Sequence, residues 1–101
     1  MAPRTELHET LCEILGSRNV YYDPPSNVKM KFPAIEYHLA RYESVRADDD
    51  LYLLRNRYEL TLMEKTPESG IIGELLRLPY CSHDRSFVSD NMHHNTFTIY
   101  Y

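Results

Sequence analysis

The sequence has no tryptophan, only three glycines and two cysteines, and no long apolar run. Each shortage excludes something. Three glycines in 101 residues cannot build a glycine-rich phosphate loop of the usual form. The cysteines, Cys12 and Cys81, stand far apart in no CxxC spacing, whereas a small disulfide scaffold usually carries about four or more. No stretch approaches the roughly 18 apolar residues that cross a bilayer. The opening Met-Ala-Pro-Arg-Thr-Glu lacks the apolar core of a signal peptide. Both thiols are therefore expected to be free, in a chain that folds in a reducing cytoplasm. A basic excess is missing too. Eleven Lys and Arg stand against fifteen Asp and Glu, for a net charge of -4, and no run of cations forms the stripe that nucleic-acid binding normally needs.

What is present bounds the rest. A chain of 101 residues is expected to be one domain, 1–101. Its 43% hydrophobic content supplies one thin core without room for a deep substrate cavity. At this size folding buries about 60–70% of the unfolded chain's surface, so a partner surface is a natural source of added stability. Nine tyrosines against three phenylalanines favour half-buried strand and interface positions, where an apolar ring and a polar tip are both useful.

Apolar spacing divides the chain into elements. Thr5 to Gly16 reads as a helix, with Thr5 as cap, Leu7, Leu11, Ile14 and Leu15 on one face, and Gly16 as stop. Asn19 to Asp23 reads as a short extended piece, ended by Pro24-Pro25. A loop follows, in which Val28 and Met30 are candidates to pin against the core. Alternation predicts one strand from about Ala34 to Glu43 and another over Arg55 to Lys65, with Tyr58, Leu60 and Leu62 facing one way. Between them lies Asp48-Asp49-Asp50, hard to place in a strand and expected at the tip of a long hairpin. Thr66-Pro67-Glu68 reads as the start of a second helix, with Ile71, Ile72, Leu75, Leu76 and Leu78 as its buried stripe. Gly70 and Gly73 weaken that helix, or else permit close packing on the sheet. Tyr80 to Val88 and Met92 to Tyr101 are expected to form a second hairpin across Ser89-Asp90-Asn91. The fold class predicted is α+β: a mainly antiparallel sheet of four to five strands with two helices packed on one face.

Three patterns suggest chemistry, and each meets a plainer reading. Cys81, His83, His93 and His94 are zinc-type ligands, but a turn at Asp90-Asn91 sets His93 opposite residue 87 or 88. His83 then lies roughly 13–17 Å further along at 3.3 Å per residue, and His93 and His94 point to opposite faces. Cys81 and His83 share a strand face, yet nothing supplies an orienting group or an oxyanion hole; Cys12, near the apolar helix face, reads as a small hydrophobe. Three adjacent aspartates lack the alternate spacing and the glycine of a calcium loop. No catalytic residue, cofactor or metal is expected, and the plain reading of the aspartates is a solvated tip, or else a contact with a basic surface on a neighbouring subunit. The interface candidates are Arg46, Asp48, Asp49, Asp50, Tyr52 and Arg55.

Three segments carry a resemblance: NVYYDPPSNVKMKFPAIEY, RNRYELTLMEKTPESGII and LPYCSHDRSFVSDNMHHNTFTIYY. Within them, Pro67, Ser69 and Ile71 form P-x-S-x-I, and Asp90 to Thr98 form DN-M-x-H-x-x-F-T. Their order and spacing resemble the tail terminator, or tail-completion, proteins in the head-to-tail module of long-tailed bacteriophages. The resemblance implies an α+β fold and a homo-oligomeric ring, usually a hexamer, that caps the tail tube and offers the head a docking surface. It implies as partners the tail tube protein and the head-tail connector or neck proteins, with no membrane, no specific nucleic acid, and DNA able to pass through the bore. The implied location is the tail-neck junction of the virion, after assembly in the host cytoplasm. The alternatives are a head-side completion or connector adaptor of the neck and, from another class, a small metal-binding protein.

Overall fold

The computed structural model describes the backbone of residues 4–47, 50–66 and 70–101, and the side chains of these residues apart from 41–55. The elements run α1 (Arg4–Leu15), β1 (Val20–Tyr22), β2 (Ala34–Ala47), β3 (Asp50–Glu64), α2 (Ile71–Leu76), β4 (Cys81–Ser89) and β5 (Met92–Tyr100). The fold is α+β, with one five-stranded mixed sheet in the order β1-β2-β3-β5-β4.

Local chemistry explains most of these boundaries. In α1 the four-residue spacing of Leu7, Leu11 and Leu15 puts all three on one buried stripe. Gly16 ends the helix at a φ of 79°, with its N–H donating to the Cys12 carbonyl at 2.9 Å. The helix begins at Arg4, so Thr5 sits inside the first turn instead of capping it. After β1 the chain turns at Asp23 (φ 43°) into Pro24-Pro25, which cannot continue a ladder. It loops back and starts β2 at the same end as β1, so these two strands are parallel, Val20 beside Ile35. The other three ladders are antiparallel. Asp90 and Asn91, at φ 52° and 62°, make the two-residue turn that joins β4 to β5.

The core is one cluster. Ile35, Tyr37, Tyr58, Leu60, Leu62, Phe97 and Ile99 alternate onto a common sheet face and meet Leu7, Leu11 and Leu15 of α1 and Ile71 and Leu75 of α2. Each fully buried leucine here contributes about 1.5–3 kcal/mol through apolar surface removed from water. The opposite face carries a charged row in which Glu59 accepts from Arg57 at 3.4 Å and lies 3.2 Å from His38 Nε2. Ala34 and Met63, cross-strand neighbours, are also buried.

Several expectations need correction. α2 is six residues long and begins after Gly70, so Thr66 is not its cap; Pro67 and Glu68 lie outside the described residues. Only Ile71 and Leu75 of its stripe are buried, Ile72 and Leu78 pack at the margin, and Leu76 is 44% exposed because so short a helix shows the sheet little more than one turn. Gly70 is needed for its left-handed φ of 82°, while a Cβ at Gly70 or Gly73 would meet nothing within 4 Å, so neither permits a close approach. Val28 is 38% exposed and is not pinned.

The hairpin is longer than the alternation suggested. β2 continues to Ala47 and β3 starts at Asp50, with Ala47 and Asp50 as the last pair. β5 stops pairing with β3 at Arg57–Tyr100, and β1 stops at Tyr22–Tyr37. Among the described residues, 41–47 and 50–55 therefore have only each other as ladder partners, while Asn56 at the base also accepts from the Tyr101 N–H at 2.9 Å; the two-stranded arm is about 23 Å long at 3.3 Å per residue. The dimensions agree: the longest extent is 50 Å against 27 and 23 Å. The radius of gyration is 14.6 Å, where a compact chain of this length has about 13 Å.

Candidate assembly surface

A two-stranded ribbon standing alone in water is marginally stable. The arm is fixed at its base because β2 and β3 are interior strands of the sheet lower down, and it projects beyond β1 and β5. Of the six interface candidates, four fall on the described backbone of this arm. Arg46 pairs with Leu51, Asp50 with Ala47 and Arg55 with Glu43, while Tyr52 belongs to β3 beside the register shift between Val45 and Arg46. Asp48 and Asp49, the two residues between β2 and β3, lie outside the described residues.

A second free edge is β4. Its nine residues pair only with β5 among the described strands, and all but Cys81 are exposed. Unpaired backbone along a strand of that length is a template for another chain. Tyr80 and Val88, each 63% exposed, and the Arg85–Phe87–His94 stack add apolar and aromatic surface beside it.

The residues weighed for chemistry are held in other ways. His93 pairs with Val88, as the turn position implies. Among the described residues no group of three or more His, Cys, Asp or Glu is placed to hold a metal ion. Burial, with a smaller push from Asp84, raises the Cys81 thiol to about 11, which disfavours the thiolate. Burial also raises the Cys12 thiol. Both cysteines are free.

Two polar clusters were not anticipated. His83, Ser86 and Asn95 meet where β4 crosses β5. His83 Nε2–H donates to Asn95 Oδ1 at 3.0 Å, and the Ser86 hydroxyl donates to the same oxygen. Since Nε2 carries the hydrogen, the imidazole cannot take a proton from Ser86, which lies 3.2 Å from that nitrogen. The trio is a structural knot, with His83 edge-on to Phe97 at 5.2 Å. A shift in register between His83 and Arg85 creates it by bringing residues three apart onto one face. No local sequence signal announces such a bulge.

The second cluster ties α1 to the sheet. Arg4 Nη1 donates to the buried Tyr37 hydroxyl at 3.1 Å, and that hydroxyl in turn donates to His8 Nδ1 at 2.7 Å. Burial, then the nearby Arg4 and Arg18 charges, lower the His8 pKa and favour the neutral acceptor. Arg4 also lies 4.2 Å above the Tyr22 ring. These contacts span 29 and 33 residues of sequence and have no local signature.

Against this geometry, comparison with protein-family models and with curated proteins gave no match.

Proposed function

We propose that this chain is a non-catalytic assembly protein that joins copies of itself into a ring through the β2–β3 arm. The tail terminator of a long-tailed phage, with the tail tube and neck proteins as its partners, is the specific role we favour. The observation that supports self-assembly is the arm: a ribbon that runs past both neighbouring strands leaves backbone edges unpaired, which a second chain can satisfy. The open β4 edge offers a second, different surface, as a head-to-tail contact between copies requires. The phage identity rests on the segment resemblance from Asn19 to Tyr101. Negative-stain imaging of the protein alone and with purified tail tubes tests both parts. Rings, and caps on tube ends, are the expected images. Single subunits that ignore tube ends would sink the proposal.

A further inference from the structure

β4 is the last strand at one side of the sheet, and its outer edge has no ladder partner among the described strands. Ser82 to Ser89 are exposed throughout. The pairing with β5 fixes which backbone groups point out of the sheet. The Tyr100 N–H donates to the Tyr80 carbonyl at 3.2 Å, so by alternation the backbone of Ser82 turns toward β5 and that of His83 turns outward. At the other end Ser89 and Met92 close the two-residue turn, so the backbone of Arg85 and Phe87 turns toward β5 and that of Ser86 and Val88 turns outward. The bulge between His83 and Arg85 joins the two halves.

The same bulge arranges the side chains. Cys81, His83, Ser86 and Val88 share the core side: Cys81 packs against the core cluster, His83 meets Phe97, Ser86 meets Asn95, and Val88 lines a hollow with Ile72 and His93. Asp84 and Arg85 stand side by side on the opposite face, whereas neighbours in a regular strand alternate. There Asp84 accepts from the Thr98 hydroxyl at 2.6 Å, and Arg85 lies 4.8 Å over the Phe87 ring. The pattern is symmetric about the point between Asp84 and Arg85. Turned end for end, β4 sets outward backbone against outward backbone and each face against the same face: Cys81 meets Val88, Ser82 meets Phe87, His83 meets Ser86 and Asp84 meets Arg85. A shift of one residue either way loses the match, setting His83 against Arg85 or Asp84 against Ser86. At the centre two carboxylate–guanidinium pairs form, one in each sense.

We infer that β4 pairs antiparallel with β4 of a second copy, about a twofold axis between Asp84 and Arg85, so that the two five-stranded sheets run on as one. This goes beyond the ring reading and does not rest on it. An edge closed on its own copy cannot receive another strand, so this pair and a head-to-tail contact at β4 exclude each other. The strand segment Cys81 to Val88 is far shorter than the roughly 20–30 residues a side of a stable interface, so the pair is short-lived and is detected by trapping.

A disulfide trap tests the register. Val88 is 63% exposed, so Val88→Cys leaves the core intact and sets a thiol opposite Cys81 of the second copy. Directly opposed hydrogen-bonded residues have Cα atoms about 5.5 Å apart, within disulfide reach. Within one chain, positions 81 and 88 are roughly 23 Å apart along the strand, far beyond it. Copper–phenanthroline oxidation should therefore give a linked dimer in which the Cys81 peptide of one copy is joined to the position-88 peptide of the other. Phe87→Cys, on the opposite face, is the control and should couple to Cys81 at least about tenfold more slowly; Cys81 and its raised thiol are common to both variants. Adding Asp84→Lys to Val88→Cys sets like charges together at both central positions and should slow trapping about tenfold. A further Arg85→Asp should restore the rate, which loss of the Thr98 contact alone would not allow. A charge variant that fails to fold leaves the Val88→Cys linkage to decide. No linked dimer, links joining 81 to 81 or 88 to 88, equal rates for Val88→Cys and the control, or a folded Asp84→Lys variant that traps unchanged would each overturn the inference.

Discussion

Replacing Tyr37 with Phe removes a single oxygen from the centre of the α1–sheet junction and leaves the ring in place. That ring is fully buried, 5.0 Å from Tyr22 and 6.0 Å from Tyr58, so apolar packing and volume are unchanged. Two hydrogen bonds are lost. The bond to neutral His8 is worth about 1 kcal/mol, and the one from cationic Arg4 about 1.5 kcal/mol at this half-exposed guanidinium, the low end for charged donors. The expected loss is therefore about 2–2.5 kcal/mol. For a domain of this size it appears as a fall in melting temperature of roughly 10 °C. Urea unfolding followed by circular dichroism should show a lower midpoint at unchanged slope, since the surface exposed on unfolding stays the same. Tyr22→Phe is the control: its exposed hydroxyl bonds nothing among the described residues, and its loss should stay within about 0.5 kcal/mol. A Tyr37→Phe protein that also stays within about 0.5 kcal/mol would refute the Arg4–Tyr37–His8 relay as a fastening between α1 and the sheet.

Other consequences follow from particular positions. Leu75→Ala empties a fully buried site under α2 and should lose about 2–5 kcal/mol in the same unfolding assay. Gly70→Ala meets open space but keeps a φ of 82°, so calorimetry should record a loss of about 1–2 kcal/mol from backbone strain alone. Cys81, with its thiol raised to about 11, should react with iodoacetamide at pH 8 on the order of 100-fold more slowly in the folded than in the unfolded protein. The depressed His8 pKa has a definite sign. The unfolded chain binds that proton more readily, so the contribution of this site is full above pH 6.5 and is lost as pH falls through the lower folded value. His8→Gln should flatten that part of the acid-unfolding curve.

Much of the fold was legible because apolar spacing is a local signal. Leu7, Leu11 and Leu15 mark α1, and the alternation Tyr58, Leu60, Leu62 marks the central strand, because burial on one face imposes those periods directly. The Asp90-Asn91 turn was readable for the same reason, since few residue pairs accept two positive φ angles. What was hidden depends on distant pairing. The parallel placement of β1 is decided by a three-residue strand against Ile35–Tyr37, too short to carry a pattern. The full hairpin length was masked by the aspartates, which resist strand assignment although only two residues separate β2 from β3. The start of α2 was misread because Thr66-Pro67-Glu68 has the composition of a helix start, whereas Gly70 in left-handed geometry sets the boundary. The arm was therefore visible as a hairpin in sequence, but its projection beyond β5 was not, because that depends on where a strand distant in sequence stops pairing, at Arg57–Tyr100.

The central claim is that the arm carries self-assembly, and the mass of an arm-shortened chain tests it most directly. Closing the hairpin with Asn-Gly directly after the Tyr42–Asn56 pair removes residues 43–55 and leaves all five strands joined at their base. Native mass spectrometry across a concentration series should then find multiples of the subunit mass for the full chain and single folded subunits for the shortened one. A shortened chain that assembles as the full chain does would contradict the account.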